Sequence, residues 1–141
     1  MGGIPQRPDP APGVCRTVSA PTRQAIGQAA EGWAQTHLEE HGLRLLTRNW
    51  RCRLGELDLV MLDGDTVVFV EVRYRRHSAW GGAEASVDAR KRARVSAAAQ
   101  VFLQQQSRWA RHPCRFDVVA VSPADNSSPA RLNWIRGAFD A

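Results

Sequence analysis

The sequence predicts an α/β fold in which a mixed sheet is flanked by helices. Three observations favour it: apolar residues recur at helical spacing on both sides of the central stretch, that stretch alternates as strands do, and the predicted order is helix, three strands, helix, strand. Three consecutive strands suit an antiparallel meander, and a helix before the fourth suits a crossover to a parallel neighbour. With 141 residues, the chain is long enough for one domain with a substantial core.

The N-terminal part separates into a tail and a helix. Residues 1–21 contain five of the eight prolines and no periodic apolar pattern, so we expect a flexible tail before a domain spanning residues 22–141. The first helix is predicted over about residues 22–41, and Gly42 is a suitable C-terminal stop. Its apolar side recurs at steps of three and four residues: Ile26, Ala30, Trp33, Ala34 and Leu38.

The centre of the chain predicts three strands. Residues 43–52 suit the first, and "GELDLVMLDGDTVVFVEVRYRR", residues 55–76, suits the second and third, joined by a tight turn. On one side of the third strand lie Val68, Val70, Val72 and Tyr74. On the other side lie Val67, Phe69, Glu71, Arg73 and Arg75. One face of this strand therefore changes from apolar to ionic partway along its length.

The remaining elements are a helix and one or two strands. A second helix is predicted from Ser86 to Gln105, and Ser86 is able to cap it. Its apolar side consists of Val87, Val95, Ala98, Val101 and Phe102. "RFDVVAV", residues 115–121, predicts a short buried strand, and residues 122–130 have a loop composition. "RLNWIRGAF", residues 131–139, is compatible with an edge strand or a short helix.

The turn between the second and third strands decides where two acids lie. If Asp63 and Gly64 form a two-residue turn, Asp58 and Glu71 are diagonal neighbours on one face. A four-residue loop places these two acids directly opposite each other, whereas a three-residue bulged loop separates them onto different faces. Two carboxylates about 5 to 8 Å apart repel each other unless a cation lies between them. Magnesium or manganese is the cation that prefers carboxylates and water, and it can activate water for nucleic acid hydrolysis. The alternative is an exposed strand end where Glu71 pairs with an arginine.

The net charge of +5 is concentrated in one segment. Residues 73–94 hold seven basic and two acidic side chains, while the rest of the chain is balanced. We expect a polyanion to bind there, the alternative being a solvated helix face.

Other features exclude several classes of protein. No apolar stretch approaches the roughly 20 residues of a bilayer span, and the N-terminus lacks the apolar core of a signal peptide. We therefore expect a soluble, cytoplasmic protein with no membrane partner. Cys15, Cys52 and Cys114 are widely spaced and form no CxxC pair, so we expect reduced thiols, not a disulfide framework or a zinc site.

Several stretches resemble a known family. Asp58, followed at a distance by Glu71-Val72-Arg73, resembles the PD-(D/E)xK nuclease signature. "GELDLV", "FVEVRYR", "SVDARKR" and "RFDVV" together resemble the bacterial YraN-like family within that superfamily, over residues 23–139. The resemblance implies a restriction-endonuclease-like αβββαβ core. It also implies an Mg²⁺- or Mn²⁺-dependent endonuclease acting on structured or branched DNA, as Holliday junction resolvases do, with a homodimer suited to cutting both strands.

The same resemblance assigns roles to individual residues. Asp58 and Glu71 are implied metal ligands together with the Val72 carbonyl, and Glu31 matches the acidic residue of the first helix. Gly27, one turn before Glu31, suggests close approach of backbone or ligand. Arg73 stands where the superfamily usually has lysine, and its guanidinium is no general base, although it can orient water or stabilise a phosphate. The expected catalytic residues are Glu31, Asp58, Glu71 and Arg73.

The Arg73 departure leaves a second function open, a nucleic-acid-binding module with little catalytic power. A protein-interaction domain is a third possibility. Residues expected to contact nucleic acid are Arg75, Arg76, Trp80, Arg90, Lys91 and Arg94. Lys91, the single lysine, is predicted as a phosphate contact, the alternative being a surface lysine. Trp80 can stack on an unpaired base or fold over the core.

"HLEEH", His37 to His41, matches the HxxEH pattern of inverted zinc proteases. Against that interpretation, the helix is predicted to end at Gly42, and no later helix offers an evident third ligand. We expect these histidines to flank the helix end, where positive charge is favoured.

Overall fold

The computed structural model describes residues 23–74, 88–122 and 129–139. Its elements are α1 (Arg23–Glu40), β1 (Arg44–Cys52), β2 (Gly55–Asp63), β3 (Thr66–Tyr74), α2 (Ala89–Gln105), a 3-10 turn (Ser107–Trp109), β4 (Cys114–Ser122) and β5 (Arg131–Phe139). The predicted α/β class and element order are confirmed, and the last segment is a strand, not a helix. The expected tail, residues 1–21, lies outside the described residues.

The five strands form one sheet in the order β1-β2-β3-β4-β5. β3 and β4 are parallel, and the other neighbours are antiparallel. The parallel pair is joined through α2, as the crossover prediction requires. The architecture is consistent with a restriction-endonuclease-like core. In the part of the chain that is described, neither helix has the length and apolar character that crossing a membrane would require.

Two apolar cores, one on each face of the sheet, hold the helices. β3 contributes side chains to both cores, as its alternation predicts. Val67 and Phe69 belong to the core between the sheet and α2, and Val68 and Val70 belong to the core between the sheet and α1. Phe69 stacks on Phe116 with ring centroids 5.4 Å apart, and it makes a T-shaped contact with a phenylalanine ring of α2. Burying one such side chain contributes about 1.5 to 3 kcal/mol. β3 is therefore anchored up to the point where its apolar face ends at Glu71.

The register between β2 and β3 brings the two acids together. Asp63 pairs with Thr66 and Leu59 with Val70, so the next position places Asp58 opposite Glu71. This is the register expected for a four-residue loop, but the loop has two residues, Gly64 and Asp65, one step beyond the predicted turn. Gly64 has φ +63°, which suits a glycine at the first central position of a hairpin turn. The alternative that separates the acids onto different faces is wrong.

The helix ends explain where the flanking residues lie. Gly42 ends α1 as predicted, with φ +93°, and the Leu43 N–H donates to the Leu38 carbonyl at 3.1 Å. α2 begins three residues later than predicted, at Ala89, and its cap is Asp88, whose Oδ1 accepts from the Lys91 N–H at 2.8 Å. The predicted cap, Ser86, lies outside the described residues.

Candidate active site

The candidate site lies where the pairing between β2 and β3 ends. Beyond Leu59 and Val70, the N–H of Val72 donates to Oδ2 of Asp58 at 2.9 Å. A carboxylate oxygen takes the place that a strand carbonyl would hold in the ladder, and this fixes Asp58 beside β3. Val72 was expected to offer its carbonyl, and its N–H is the group that contacts the acid.

Asp58 and Glu71 form a coupled carboxyl pair. Burial, and then the Asp58 charge, raises the pKa of Glu71 to about 8. Burial also raises the pKa of Asp58, although the Val72 N–H opposes that rise. The two side chains share a hydrogen bond, and we assign the shared proton mainly to Glu71, whose pKa that bond raises. Two charges of the same sign this close in a buried place favour uptake of a proton or a cation.

Lys91 supplies a positive charge to this pair. Its Nζ lies 3.2 Å from Oε2 of Glu71. Burial alone would lower the pKa of Lys91, but the Glu71 carboxylate, with Asp58 and Glu56 further away, raises it above the ordinary value. The residue predicted as a phosphate contact is thus placed on the carboxyl pair, with its side chain 35% exposed toward the adjoining cleft.

Further cations line the open side of the pair. A cavity of about 210 Å³ is bounded by Glu71, Arg73, Asp88, Lys91 and Arg94. Arg73 is half-buried and Arg94 is exposed, so both guanidinium groups border solvent beside the carboxyl pair. Arg90 lies on the exposed first turn of α2, outside the lining of this cavity.

Glu31 lies on α1, at the edge of a second cleft. Burial and then the Asp58 charge raise the pKa of Glu31, while hydrogen bonding with Asn49 lowers it. Nη2 of Arg48 is 3.9 Å from its Oε1, which is buried and has no hydrogen-bond partner within the described ranges. The Asn49 backbone has φ +52°, a left-handed conformation that asparagine tolerates better than most residues. Glu31 is therefore close enough to Asp58 for the Asp58 charge to raise its pKa.

Some predicted site residues have other surroundings. A Cβ on Gly27 would meet no atom of the described segments within 4 Å, so close approach of their backbone does not explain this glycine; it lines the Glu31 cleft of about 400 Å³. Arg75, Arg76 and Trp80 lie outside the described residues.

The carboxyl pair has the donor chemistry for a hard divalent ion. Mg²⁺ in proteins commonly uses one or two carboxylates and keeps several waters. Asp58 and Glu71 suit such a site, and Glu31 has a carboxylate oxygen that accepts no hydrogen bond from the described residues. Among the described residues, no three acidic, histidine or cysteine side chains are grouped closely enough to hold a metal by themselves. A metal here would therefore depend on the acid pair with backbone or water oxygens.

The zinc-protease alternative finds no third ligand in the described parts of the chain. The His37 and His41 ring centroids are 4.5 Å apart, and both rings make T-shaped contacts with Trp134. Cys52 and Cys114 are free thiols, as predicted, and Cys15 lies outside the described residues.

Three residues near the site were missed by the sequence analysis. Asn49 contacts Glu31 across the α1–β1 interface, and its only signal was an asparagine inside a strand pattern. Arg51 and Glu56, at the ends of the β1–β2 hairpin, form an ion pair at 3.1 Å and line the Glu31 cleft. Nothing local distinguishes them from other surface charges.

Comparison with known proteins places this site within a matched region. A model described as "Uncharacterised protein family UPF0102" matches residues 30–121. A UPF0102 protein of Ectopseudomonas mendocina is 68% identical over 116 residues, which cover 82% of this chain and 95% of the relative. Relatives from Pseudomonas fluorescens and Pseudomonas aeruginosa are each 64% identical, over 84% and 82% of this chain and 95% and 92% of their own lengths. The matched region contains Glu31, Asp58, Glu71 and Lys91.

Proposed function

The chain belongs to the UPF0102 family, as its resemblance to YraN-like proteins predicted, and we propose that it is a metal-dependent endonuclease acting on structured or branched DNA. The observation that carries the proposal is that the half-buried Asp58 and the buried Glu71 lie side by side where the β2–β3 pairing ends, with Lys91 at 3.2 Å from Glu71 and two arginines lining the same cavity. We further propose a cytoplasmic protein that acts in DNA repair or recombination, as a homodimer when both strands of a junction are cut.

The pair is an expensive arrangement for stability alone. Burial raises the pKa values of both acids, so ionising them costs free energy in the folded state. A divalent ion held by Asp58, Glu71 and the Val72 carbonyl would remove that cost. When bound, Mg²⁺ or Mn²⁺ would lower the pKa of a water ligand and screen the charge of a phosphodiester.

The neighbouring cations suit a phosphate substrate. Arg73 and Arg94 border the same cavity as Glu71, so a phosphodiester placed there would meet two guanidinium groups. Arg73 stays protonated and is therefore assigned to binding and charge stabilisation, not to proton transfer. Lys91 can leave Glu71 for a phosphate oxygen because its side chain is partly exposed.

A second candidate function is nucleic acid binding without cleavage. Arg73 in place of lysine, and the direct contact of Lys91 with Glu71, favour it. In that case the Lys91 ammonium neutralises the pair permanently, and a divalent ion has no role.

Purified full-length protein incubated with four-way, flap and linear DNA separates the two candidates. Each substrate is tested with Mg²⁺, with Mn²⁺ and with a chelator. We expect cleavage of the branched substrates only with metal, its loss in Glu71→Gln, and unchanged cleavage in the control Glu40→Gln, an exposed acid at the end of α1.

DNA binding provides the second measurement. Glu71→Gln should keep the salt-dependent affinity of the wild type, because it removes no cation. Failure of the wild type to cut any substrate with either metal would reject the nuclease, and cleavage by Glu71→Gln at the wild-type rate would reject this site.

A further inference from the structure

A third cleft lies beside the β1–β2 hairpin. It has a volume of about 460 Å³, and its hairpin wall consists of Arg51, Cys52, Gly55 and Glu56. Its other wall is α2, through Lys91, Arg94 and Val95. Lys91 and Arg94 also line the cavity at Glu71, so the hairpin cleft continues from the carboxyl pair. A strand bound at the pair would have this groove as one path away from it.

The close contact between hairpin and helix sets the width of this groove. A Cβ built on Gly55 would lie 2.8 Å from the carbonyl oxygen of Arg94 and 3.3 Å from its Cβ. Only glycine permits this approach without displacement of backbone atoms. The hairpin tip and the basic turn of α2 are therefore held against each other.

The charges on the hairpin suit an anionic partner. Arg51 is 70% exposed and pairs at 3.1 Å with Glu56, which is itself 49% exposed. Such an exposed pair contributes about 0 to 1 kcal/mol, so the guanidinium is available to a phosphate. Arg53 is also exposed, at the turn. With Lys91 and Arg94, the groove and its rim carry four cations, of which Arg51 is paired with Glu56 and Lys91 with Glu71.

Leu54 gives the tip a different chemistry. It occupies the turn next to Arg53 and is 51% exposed, although it is a large apolar residue. Apolar side chains that project from nucleic-acid-binding surfaces insert between bases where a step is partly unstacked. A leucine that follows the exposed Arg53 at this tip suits such a step better than a continuous duplex.

We propose that residues 51–56 form a second nucleic acid contact, in which Arg51 and Arg53 hold backbone phosphates and Leu54 packs against an unstacked base. The proposal rests on the proposed function for its partner, nucleic acid, and it adds the structural feature that the protein recognises. It concerns binding alone and does not require cleavage.

Equilibrium binding in a chelator tests this contact apart from the nuclease activity. The probes are a labelled duplex with a short unpaired bulge and the same duplex fully paired. In Arg51→Gln/Arg53→Gln, the slope of log affinity against log salt should become shallower by about two for both DNAs. The matched control is Arg44→Gln/Arg111→Gln, which removes two exposed arginines at the far end of the sheet and should keep a slope closer to that of the wild type.

Leu54→Ala tests the apolar contact separately. We expect an affinity loss of about five- to tenfold for the bulged DNA and almost none for the paired duplex. An equal loss on both DNAs, or none, would overturn the base contact. A wild-type salt slope in the double arginine variant would overturn the phosphate contact, even if the wild type cuts DNA. Conversely, a wild type that binds as predicted but never cuts would reject the nuclease and retain this surface.

Discussion

Asp117 and Glu71 are buried carboxyl groups in neighbouring strands, but their surroundings differ in kind. In the β3–β4 ladder, Asp117 is opposite Val70, and Glu71 is opposite Val118, one step further along. Asp117 is inaccessible to solvent. It accepts hydrogen bonds at 2.9 to 3.0 Å from Arg115 Nε, Trp134 Nε1 and the Gly137 N–H. Three donors surround this carboxyl group, so its hydrogen-bonding capacity is satisfied within the fold.

The local fold accounts for the acid at Asp117. Phe116 pairs with Phe139 and Val118 with Ile135, so three residues of β5 lie opposite the single residue Asp117. This bulge removes the usual ladder partner of the Gly137 N–H, which donates to Asp117 instead. Asp117 therefore has a structural role that its own neighbours explain.

Among the residues that the structure describes, Glu71 has no comparable set of hydrogen-bond donors. Its neighbours are another acid, Asp58, and the Lys91 ammonium at 3.2 Å, and its pKa is raised to about 8. The comparison teaches that burial does not by itself mark a functional acid. An acid that is buried and kept partly protonated by a second acid is poised for an external cation, whereas a fully hydrogen-bonded acid is already neutralised.

Replacing Asp117 should have the largest effect on stability. Asp117→Asn replaces an oxygen that accepts from buried donors with an NH2 group, and it leaves Arg115 with only the more exposed Asp63 as a carboxylate partner, so we expect the free energy of unfolding to fall by about 3 to 5 kcal/mol. Urea denaturation measures the loss. Asp65→Asn, in the exposed β2–β3 turn, is the control and should change little. A loss below about 1 kcal/mol would contradict the structural role assigned to Asp117, and with it the difference between Asp117 and Glu71.

Glu71→Gln should instead raise the free energy of unfolding above that of the wild type at alkaline pH. Between its ordinary pKa of 4.5 and about 8, folded Glu71 keeps a proton that the unfolded chain has released, so raising the pH through this window lowers wild-type stability. Each pKa unit corresponds to about 1.4 kcal/mol, and we expect a loss on the order of 2 to 4 kcal/mol. The pKa of Lys91 is also raised, so below its ordinary value of 10.5 its contribution to stability does not change with pH.

Urea denaturation from about pH 5 to pH 9 measures this difference. The wild type should lose stability across the range, while Glu71→Gln, which cannot ionise at this position, should show a flatter profile and exceed the wild type at the alkaline end. Parallel profiles for the two proteins would contradict the assignment of the shared proton to Glu71.

A smaller effect is expected when Mn²⁺ is added. Metal binding to the pair must displace its proton, so stabilisation by Mn²⁺ should be greater near pH 9 than near pH 6. A tenfold excess over the dissociation constant corresponds to about 1.4 kcal/mol. Thermal unfolding measures the shift in Tm, which Glu71→Gln should reduce at both pH values. An equal shift in that variant would place the metal elsewhere.

The parts of this comparison that were predictable depend on local periodicity. The alternation along β3 correctly placed Val67, Phe69 and Glu71 on one face, and the spacing from Asp58 identified the acid pair. The register remained open among three alternatives because a shift of one residue in the turn changes every pair. The actual turn, at Gly64 and Asp65, resolves it.

Other features depend on contacts between distant segments and left little trace in the sequence. Both Ser86 and Asp88 are good caps, and the structure uses Asp88, from which Lys91 reaches Glu71. Gly55 is needed because a carbonyl oxygen of α2 leaves no room for a Cβ at this position. Asn49 is needed because it hydrogen-bonds with an acid of α1. Neither requirement follows from neighbouring residues, because each arises only when the helices pack on the sheet.

The smallest expected effect concerns Asn49 and the acid that it contacts, Glu31. The surroundings of Glu31 are intermediate between those of Asp117 and Glu71. Glu31 has hydrogen bonding with Asn49, an arginine at 3.9 Å and one buried oxygen without a partner. Asn49→Gly removes this hydrogen bonding but relieves the left-handed backbone, and these effects of about 1 kcal/mol each should nearly cancel. Asn49→Ala loses the same hydrogen bonding and keeps the strain, so its free energy of unfolding should be about 1 kcal/mol below that of Asn49→Gly.

The pKa of Glu31 distinguishes this explanation from backbone strain alone. Hydrogen bonding with Asn49 lowers that pKa, so both variants should raise it further, and NMR titration of the Glu31 carboxyl carbon measures the change. If the pKa of Glu31 is unchanged in both variants while their free energies of unfolding differ as expected, Asn49 serves only the backbone of β1. Glu31 would then be a structural acid, like Asp117. A rise in both variants places Glu31 with Glu71, as an acid whose neutralisation is left incomplete because the fold holds it toward Asp58.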